Sequence, residues 1–393
     1  MNYILFDPAK RDNLFPINAI RPVASIRVGM LTIQEKWETF LKGEISVLVP
    51  NYLAEKYIAK VEEKNLYINA SLLPKSAVVS EILILKEGHK LMKGDELIAF
   101  YGGPMAWNEM EETVATLTAI EAIHDVAFIR YTWNIIEQLN VELKNDFNLL
   151  LDRFKQQDLP EYTTAIVPEK ILMGNNVKLG ACILNASDGP IVIDDIAEIM
   201  DGAMVKGPIY LGKNSCIKMG AKIYGPVSIG EHCKVGGEVI DTVFQAYSNK
   251  GHDGFLGHSY IGEWCNLGAD TTISNLKNTY DPVRLWNYAA GGFDHTKMQF
   301  LGLIMGDHSK TGINTMINSG TVIGVACNVY GSGFPRNFIP DFSSGSSRKM
   351  NIFLCKDVFK MARAMMNRRN LELSEKDEKI LSWVFENIRE MHP

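Results

Sequence analysis

The chain has 393 residues, 46% of them hydrophobic and 22% charged, a net charge of -6 and a pI near 5.8. This balance describes a globular protein of two or three domains and leaves no basic footprint for nucleic acid. No run reaches the roughly 18 apolar residues of a membrane helix, the opening MNYILFDPAKRD has too short an apolar run for a secretory signal, and the six cysteines form no CxxC pair, so zinc and a disulfide framework are disfavoured and a reducing cytoplasm is expected.

Residues 1–158 read as a mixed α/β domain. Tyr3–Phe6, Ile45–Val49, Ile82–Leu85 and Leu97–Phe100 have strand length and composition. Leu31–Leu41 and Thr132–Lys155 have helical apolar spacing. Arg11, Arg21 and Arg27 fall within 17 residues that hold two prolines, with Gly29 just beyond. Ordinary solvated charge is the bland reading of such a group; the clustering favours phosphate binding. Asp7, at the end of the first strand, is a candidate magnesium ligand, since such sites use one or two carboxylates plus substrate phosphates. Gln156-Gln157-Asp158-Leu159-Pro160 marks the boundary.

The texture then changes. Over 166–340 aliphatic residues recur in steps of six, as in Val177-Lys-Leu179-Gly180, Ile209-Tyr-Leu211-Gly212, Val227-Ser-Ile229-Gly230 and Ile317-Asn-Ser319-Gly320. This is the signal of a left-handed parallel β-helix built from hexapeptide repeats. Each hexad is one short strand and a turn, three make a triangular coil, and Gly or Asn is expected where a corner needs positive φ. Cys182, Cys216, Cys233 and Cys265 fall at small-residue positions and read as packing residues. Solenoids need capped ends. The α/β domain is expected on the first coil, and residues 350–393, read as two amphipathic helices (Lys356–Arg369 and Ser374–Met391), on the other end.

Two segments break the rhythm. One is Asn249–Gly257, carrying His252 shortly before His258; the other is Met305–Gly312, carrying His308, a candidate for lining a substrate or coenzyme A groove. Acyl transfer from a thioester to an amine needs a base, and histidine titrates near working pH. It also needs donors for the oxyanion, which backbone N–H groups and an amide such as Asn275 supply. A carbonic anhydrase would need three histidines at matched coil heights, and His252, His258 and His295 lack that spacing.

The segment Lys250-Gly251-His252-x-x-Phe255-Leu256-Gly257, then Ile261-Gly262, Asn266-Leu267-Gly268-Ala269, Thr271 and Asn275, resembles the acetyltransferase half of the bifunctional N-acetylglucosamine-1-phosphate uridylyltransferase/glucosamine-1-phosphate acetyltransferase family. The gap from His252 to Asn275 matches without insertion. The resemblance implies His252 as general base, Asn275 and Lys250 as substrate-binding, and acetyl-coenzyme A as cosubstrate. Phe255 replaces the family's tyrosine, His258 stands where it has an aspartate, and Ile240 stands where it has a lysine, so the acceptor stays open.

That family also carries an α/β nucleotidyltransferase in front, a nucleotidyltransferase-like (Rossmann-like) domain. Its phosphate loop is matched here only by the strand, Arg11, Leu14, Pro16 and the pair Arg21-Pro22, without the glycines. Arg11, Arg21 and Arg27 would then be substrate-binding and Asp7 a magnesium site. The resemblance, to a divergent bacterial branch, implies a homotrimer using a nucleoside triphosphate, a sugar-1-phosphate and acetyl-coenzyme A. It favours UDP-N-acetylglucosamine as product and glucosamine-1-phosphate as acetyl acceptor. A monofunctional nucleotidyltransferase with a structural β-helix, or a non-enzymatic sugar-nucleotide sensor, are the alternatives.

Overall fold

A computed structural model describes residues 1–391. Eight strands precede the solenoid: β1 (Asn2–Phe6), β2 (Ser46–Leu48), β3 (Asn65–Asn69), β4 (Leu72–Leu73), β5 (His89–Lys93), β6 (Glu96–Gly102), β7 (Thr118–Glu121) and β8 (Ala127–Phe128). Six of them form one mixed sheet in the order β2-β1-β3-β6-β5-β7. β1 runs parallel to β2 and β3, and β6 antiparallel to β3 and β5. β3 is buried at all five positions, as suits a central strand covered on both faces.

One face packs against α1 (Ile33–Leu41), α3 (Ser76–Leu83) and α5 (Thr132–Leu150), through Ile33, Trp37, Val78, Ile82, Ile135, Leu139 and Leu143. Two short helices, α2 (Asn51–Ala54) and α4 (Met110–Ala115), complete the domain. A reciprocal capping box between Thr32 and Glu35 starts α1. The expected strand at Ile82–Leu85 is instead the end of α3. Val78, Val79 and Ile82 are spaced to bury one helical face, a pattern a short apolar run does not separate from a strand.

The expected parallel β-helix follows, with strands pairing coil on coil. Its first face runs from Ile171–Met173 through Ile191–Ile193, Ile209–Leu211 and Leu303–Met305 to Phe338–Ile339. The second face includes Ile183–Asn185, Met204–Lys206 and Phe255–Gly257, and the third Lys178–Leu179, Asn249–Lys250 and Lys310–Thr311. Inward Ile, Leu and Val residues from all three faces stack into one core that also holds Cys182, Cys233, Cys265 and Cys327, so the cysteines expected to pack at small positions are buried, Cys216 among them. Positive φ at the corner between the first and third faces falls on Ile196, Asn214, His232, Tyr247, Trp264, His308 and Phe342, mostly neither Gly nor Asn. At the corner between the third and second faces the expected residues do take positive φ, at Gly202, Gly220, Gly237, Gly254 and Asn314. Other hexad glycines serve close approach: a Cβ on Gly212 would stand 2.7 Å from the carbonyl carbon of Gly230 one coil away.

The α/β domain does not cap the first coil. It lies along the first face, where the outward residues Leu172, Val192, Tyr210, Val243, Tyr260, Ile304 and Val322 join its core. The first coil's edge is met by the linker, with Lys155 bridged to Met173 and the Gln157 amide donating to the Met173 and Gly174 carbonyls. The C-terminal helices are α6 (Cys355–Asn367) and α7 (Glu375–Met391). They were expected over the far end of the coils, but Val358, Ile380, Leu381, Val384 and Ile388 join the core shared by the front domain and the first face, and none of these joins the core inside the coils. Trp383 stacks on Tyr52 of α2 at 3.7 Å and Phe385 meets Phe342 of the last coil edge-on.

Candidate active site

The loop after β1 is where a phosphate cradle was expected, and the charged residues expected to build it, Asp7 and Arg11, are engaged within the protein. Asp7 is 1% exposed; one carboxylate oxygen accepts from Arg11 Nε at 2.8 Å and the other from the Val23 N–H at 2.8 Å. Arg11 also donates to Tyr52 Oη and to the carbonyls of Asn18 and Arg21. Burial raises the Asp7 pKa against the opposing pull of Arg11. With both oxygens used and no opening to solvent, Asp7 does not fit a magnesium ion.

Arg21 and Arg27 reach across to the solenoid. Arg21 pairs with Glu263 and Asp307, each at 2.7 Å. Arg27 donates to the Gln245 carbonyl and to Glu231, and its own N–H donates to Gln245 Oε1. Asp307, fully buried, is raised to about 6 by desolvation, with Arg21 pulling the other way. These guanidinium groups therefore fasten the two domains. The expectation that Arg11, Arg21 and Arg27 face a triphosphate meets a loop already filled by the protein's own carboxylates and carbonyls.

The second face of the solenoid is different. His252 lies exposed at its edge beside the third face, before the strand Phe255–Gly257. Lys250, expected to meet substrate, points inward instead. It occupies a core position paired with Val235, is 1% exposed, and donates to the carbonyls of Gly236 (3.1 Å) and His252 (2.9 Å). Burial lowers its pKa to about 8. Its visible task is to hold the loop that presents His252.

Asn275 is brought to His258, not to His252. Its amide Nδ2 donates to His258 Nδ1 at 2.9 Å. The ring proton then sits on Nε2, which faces Asp241 Oδ2 at 3.5 Å, and the ring stacks on Phe300. Desolvation lowers His258 to about 4 and raises Asp241 to about 6. His258 is thus a neutral ring gripping an amide. Asp241 was not singled out from the sequence, yet a signal was there: Asp241, His258 and Asn275 are spaced by 17 residues, one coil each. Glu238 pairs in register with Phe255 and accepts from the Tyr224 hydroxyl, so a carboxylate lies on the same face as His252. His308, expected in a ligand groove, is 3% exposed and stacks on Trp264.

Comparison with known proteins adds the following. Residues 3–154 match the family model for sugar nucleotidyl transferase. The bifunctional sugar-1-phosphate nucleotidylyltransferase/acetyltransferase of Sulfurisphaera tokodaii is 33% identical over 144 residues, 36% of this chain and 35% of that protein. The bifunctional protein GlmU of Synechococcus elongatus is 25% identical over 253 residues, 59% of this chain and 51% of that protein. The matches thus span a third to a half of these relatives' length. A solved UDP-N-acetylglucosamine acyltransferase from Campylobacter jejuni aligns with 58% of this chain and 89% of its own at 15% identity and a TM-score of 0.25.

Proposed function

We propose that this chain is a two-domain transferase of sugar-nucleotide synthesis. The front domain joins a nucleoside triphosphate to a sugar-1-phosphate, with N-acetylglucosamine-1-phosphate and UDP-N-acetylglucosamine as favoured substrate and product. A sugar phosphate oxygen attacks the α-phosphorus and pyrophosphate leaves. The family match over residues 3–154 supports this half. Substrate phosphates would be met there by groups other than Arg11, Arg21 and Arg27, which are already paired.

The solenoid transfers acetyl from acetyl-coenzyme A to an amino sugar phosphate, with glucosamine-1-phosphate favoured. The observation carrying this half is that the segment from His252 to Asn275 folds onto successive coils of one open face, with its histidine exposed and its asparagine amide oriented. His252 takes a proton from the acceptor amine as nitrogen attacks the thioester carbon. The C–N bond forms, the C–S bond breaks, and the proton passes to the departing thiolate. Asn275 spends one amide N–H on His258, which leaves its second N–H and its carbonyl for the oxyanion or acceptor. Working as a homotrimer is part of this reading. The first face is covered, whereas the second exposes Ile183, Met204 and Met316. The free cysteines suit the cytoplasm.

Thiol release from acetyl-coenzyme A, with glucosamine-1-phosphate as acceptor, tests the second half. No release at high enzyme concentration, or full release by His252→Ala, removes it. Pyrophosphate release from a panel of triphosphates and sugar-1-phosphates tests the first. The sealed loop favours a second reading of that domain as a cover for the solenoid. Acetyl transfer without any pyrophosphate release would select it.

A further inference from the structure

Along the corner between the first and third faces, four rings stack in sequence: His232 on Tyr247 at 4.8 Å, Tyr247 on Trp264 at 4.4 Å, and Trp264 on His308 at 6.4 Å. Beside this ladder, α6 leaves a groove of about 330 Å³ against the third face. Lys310 forms part of its floor, Arg368 and Arg369 part of its rim, and Met365 an apolar wall. Among the described residues, no aspartate or glutamate lines it.

Lys310 is the telling residue. It stands in the third-face row between Asn266 and Asn328. Its amine donates to the carbonyls of His308 (3.1 Å) and Trp264 (3.4 Å). Carbonyl oxygens orient an ammonium but do not neutralise it, and a charge taken from water without a counter-charge is costly. Arg369 spends one N–H on the Asn249 side chain at 3.4 Å, also a neutral partner. Three cations therefore converge on a groove that the protein does not balance. The ladder's ring faces are largely occupied by one another, so the groove offers ring edges and cationic donors more than a stacking surface.

We infer that this groove binds a diphosphate-bearing ligand, with Lys310 as the inner cation and Arg368 and Arg369 closing over the outer phosphate. A diphosphate matches three positive charges, and guanidinium groups bind phosphate oxygens in pairs. The site is separate from the His252 corner, which lies at the other edge of the third face. Burial lowers Lys310 to about 8, so it is still charged near neutral pH and a bound anion would hold its proton more firmly.

Titration calorimetry on the full chain tests this, with inorganic pyrophosphate as the first probe, then UDP and coenzyme A. Pyrophosphate should bind, and Lys310→Met should weaken it by about tenfold or more. Arg368→Gln with Arg369→Gln, at positions away from the core, should do the same, and this variant decides the matter if Lys310→Met does not fold. Tighter binding of UDP identifies a nucleotide, tighter binding of coenzyme A the acyl donor, and equal affinity a bare diphosphate. Binding of none of the three by the wild type, or unchanged binding by the variants, overturns the site. A chain that binds through Lys310 yet turns over neither substrate pair keeps this site and loses the proposed reactions.

Discussion

The first and second faces of the solenoid carry similar residue types and put them to opposite uses. On the first, the buried Arg21 and Arg27 meet the buried Asp307 and the half-buried Glu263 and Glu231 against the α/β domain. On the second, His252 stands exposed and Asp241, His258 and Asn275 form a half-open row. Charge alone does not mark a site. A buried ion with all its partners inside the chain is a fastening, while an oriented polar group with unused hydrogen-bonding capacity on an open face is available for chemistry.

The sharpest way to break this contrast is on the open face. His252→Ala should lower acetyl transfer by about 10²-fold or more while leaving the melting temperature unchanged, since the side chain is exposed. A fall in melting temperature with activity retained would reverse the assignment. On the sealed face the signature inverts. Arg21→Met leaves Asp307 buried without its cation and should cost about 3–5 kcal/mol in denaturant unfolding. A cost near zero would show the seam to be loosely held.

Smaller effects sharpen the row at the corner. Burial raises Asp241 to about 6, above the ordinary carboxyl value, so the folded state holds its proton more tightly than the unfolded chain. That contribution is present below the unfolded pKa and is lost as pH rises through the folded one. Asp241→Asn carries no such charge and suits the positive φ of 46°. It should unfold about 1–2 kcal/mol later than wild type at about pH 8, with the difference gone below about pH 4. A gain that persists in acid would assign it to packing. Lys250→Met is expected to change stability by less than about 1 kcal/mol, because the desolvated amine gives way to an apolar chain of similar length. Acetyl transfer should fall less than in His252→Ala; an equal loss would put the amine itself in contact with substrate.

Much of this architecture was legible in the sequence. The step of six announces the coils, and the step of 17 from Asp241 to His258 to Asn275 places three side chains on one corner. The side-on packing of the front domain also left a trace. Several first-face triplets are apolar at all three positions, as in Ile191-Val192-Ile193 and Leu303-Ile304-Met305, whereas the third face alternates, as in Lys178-Leu179. Three consecutive apolar residues in a two-faced strand mean that both sides are covered. The fate of Arg21 had no such trace, because its partner Glu263 lies 242 residues away and no local pattern points there. Lys250 was misplaced for a related reason: a lysine in an inward row is legible only once the row is known.

The shared first-face core also limits how the protein can be taken apart. Leu172, Val192, Tyr210, Val243, Tyr260, Ile304 and Val322 form a continuous stripe completed by side chains of the front domain. Cutting the chain near residue 158 to study each half would bare that stripe on one fragment and its mate on the other, an invitation to aggregation. The two proposed reactions are better separated by single substitutions in the intact chain than by truncation.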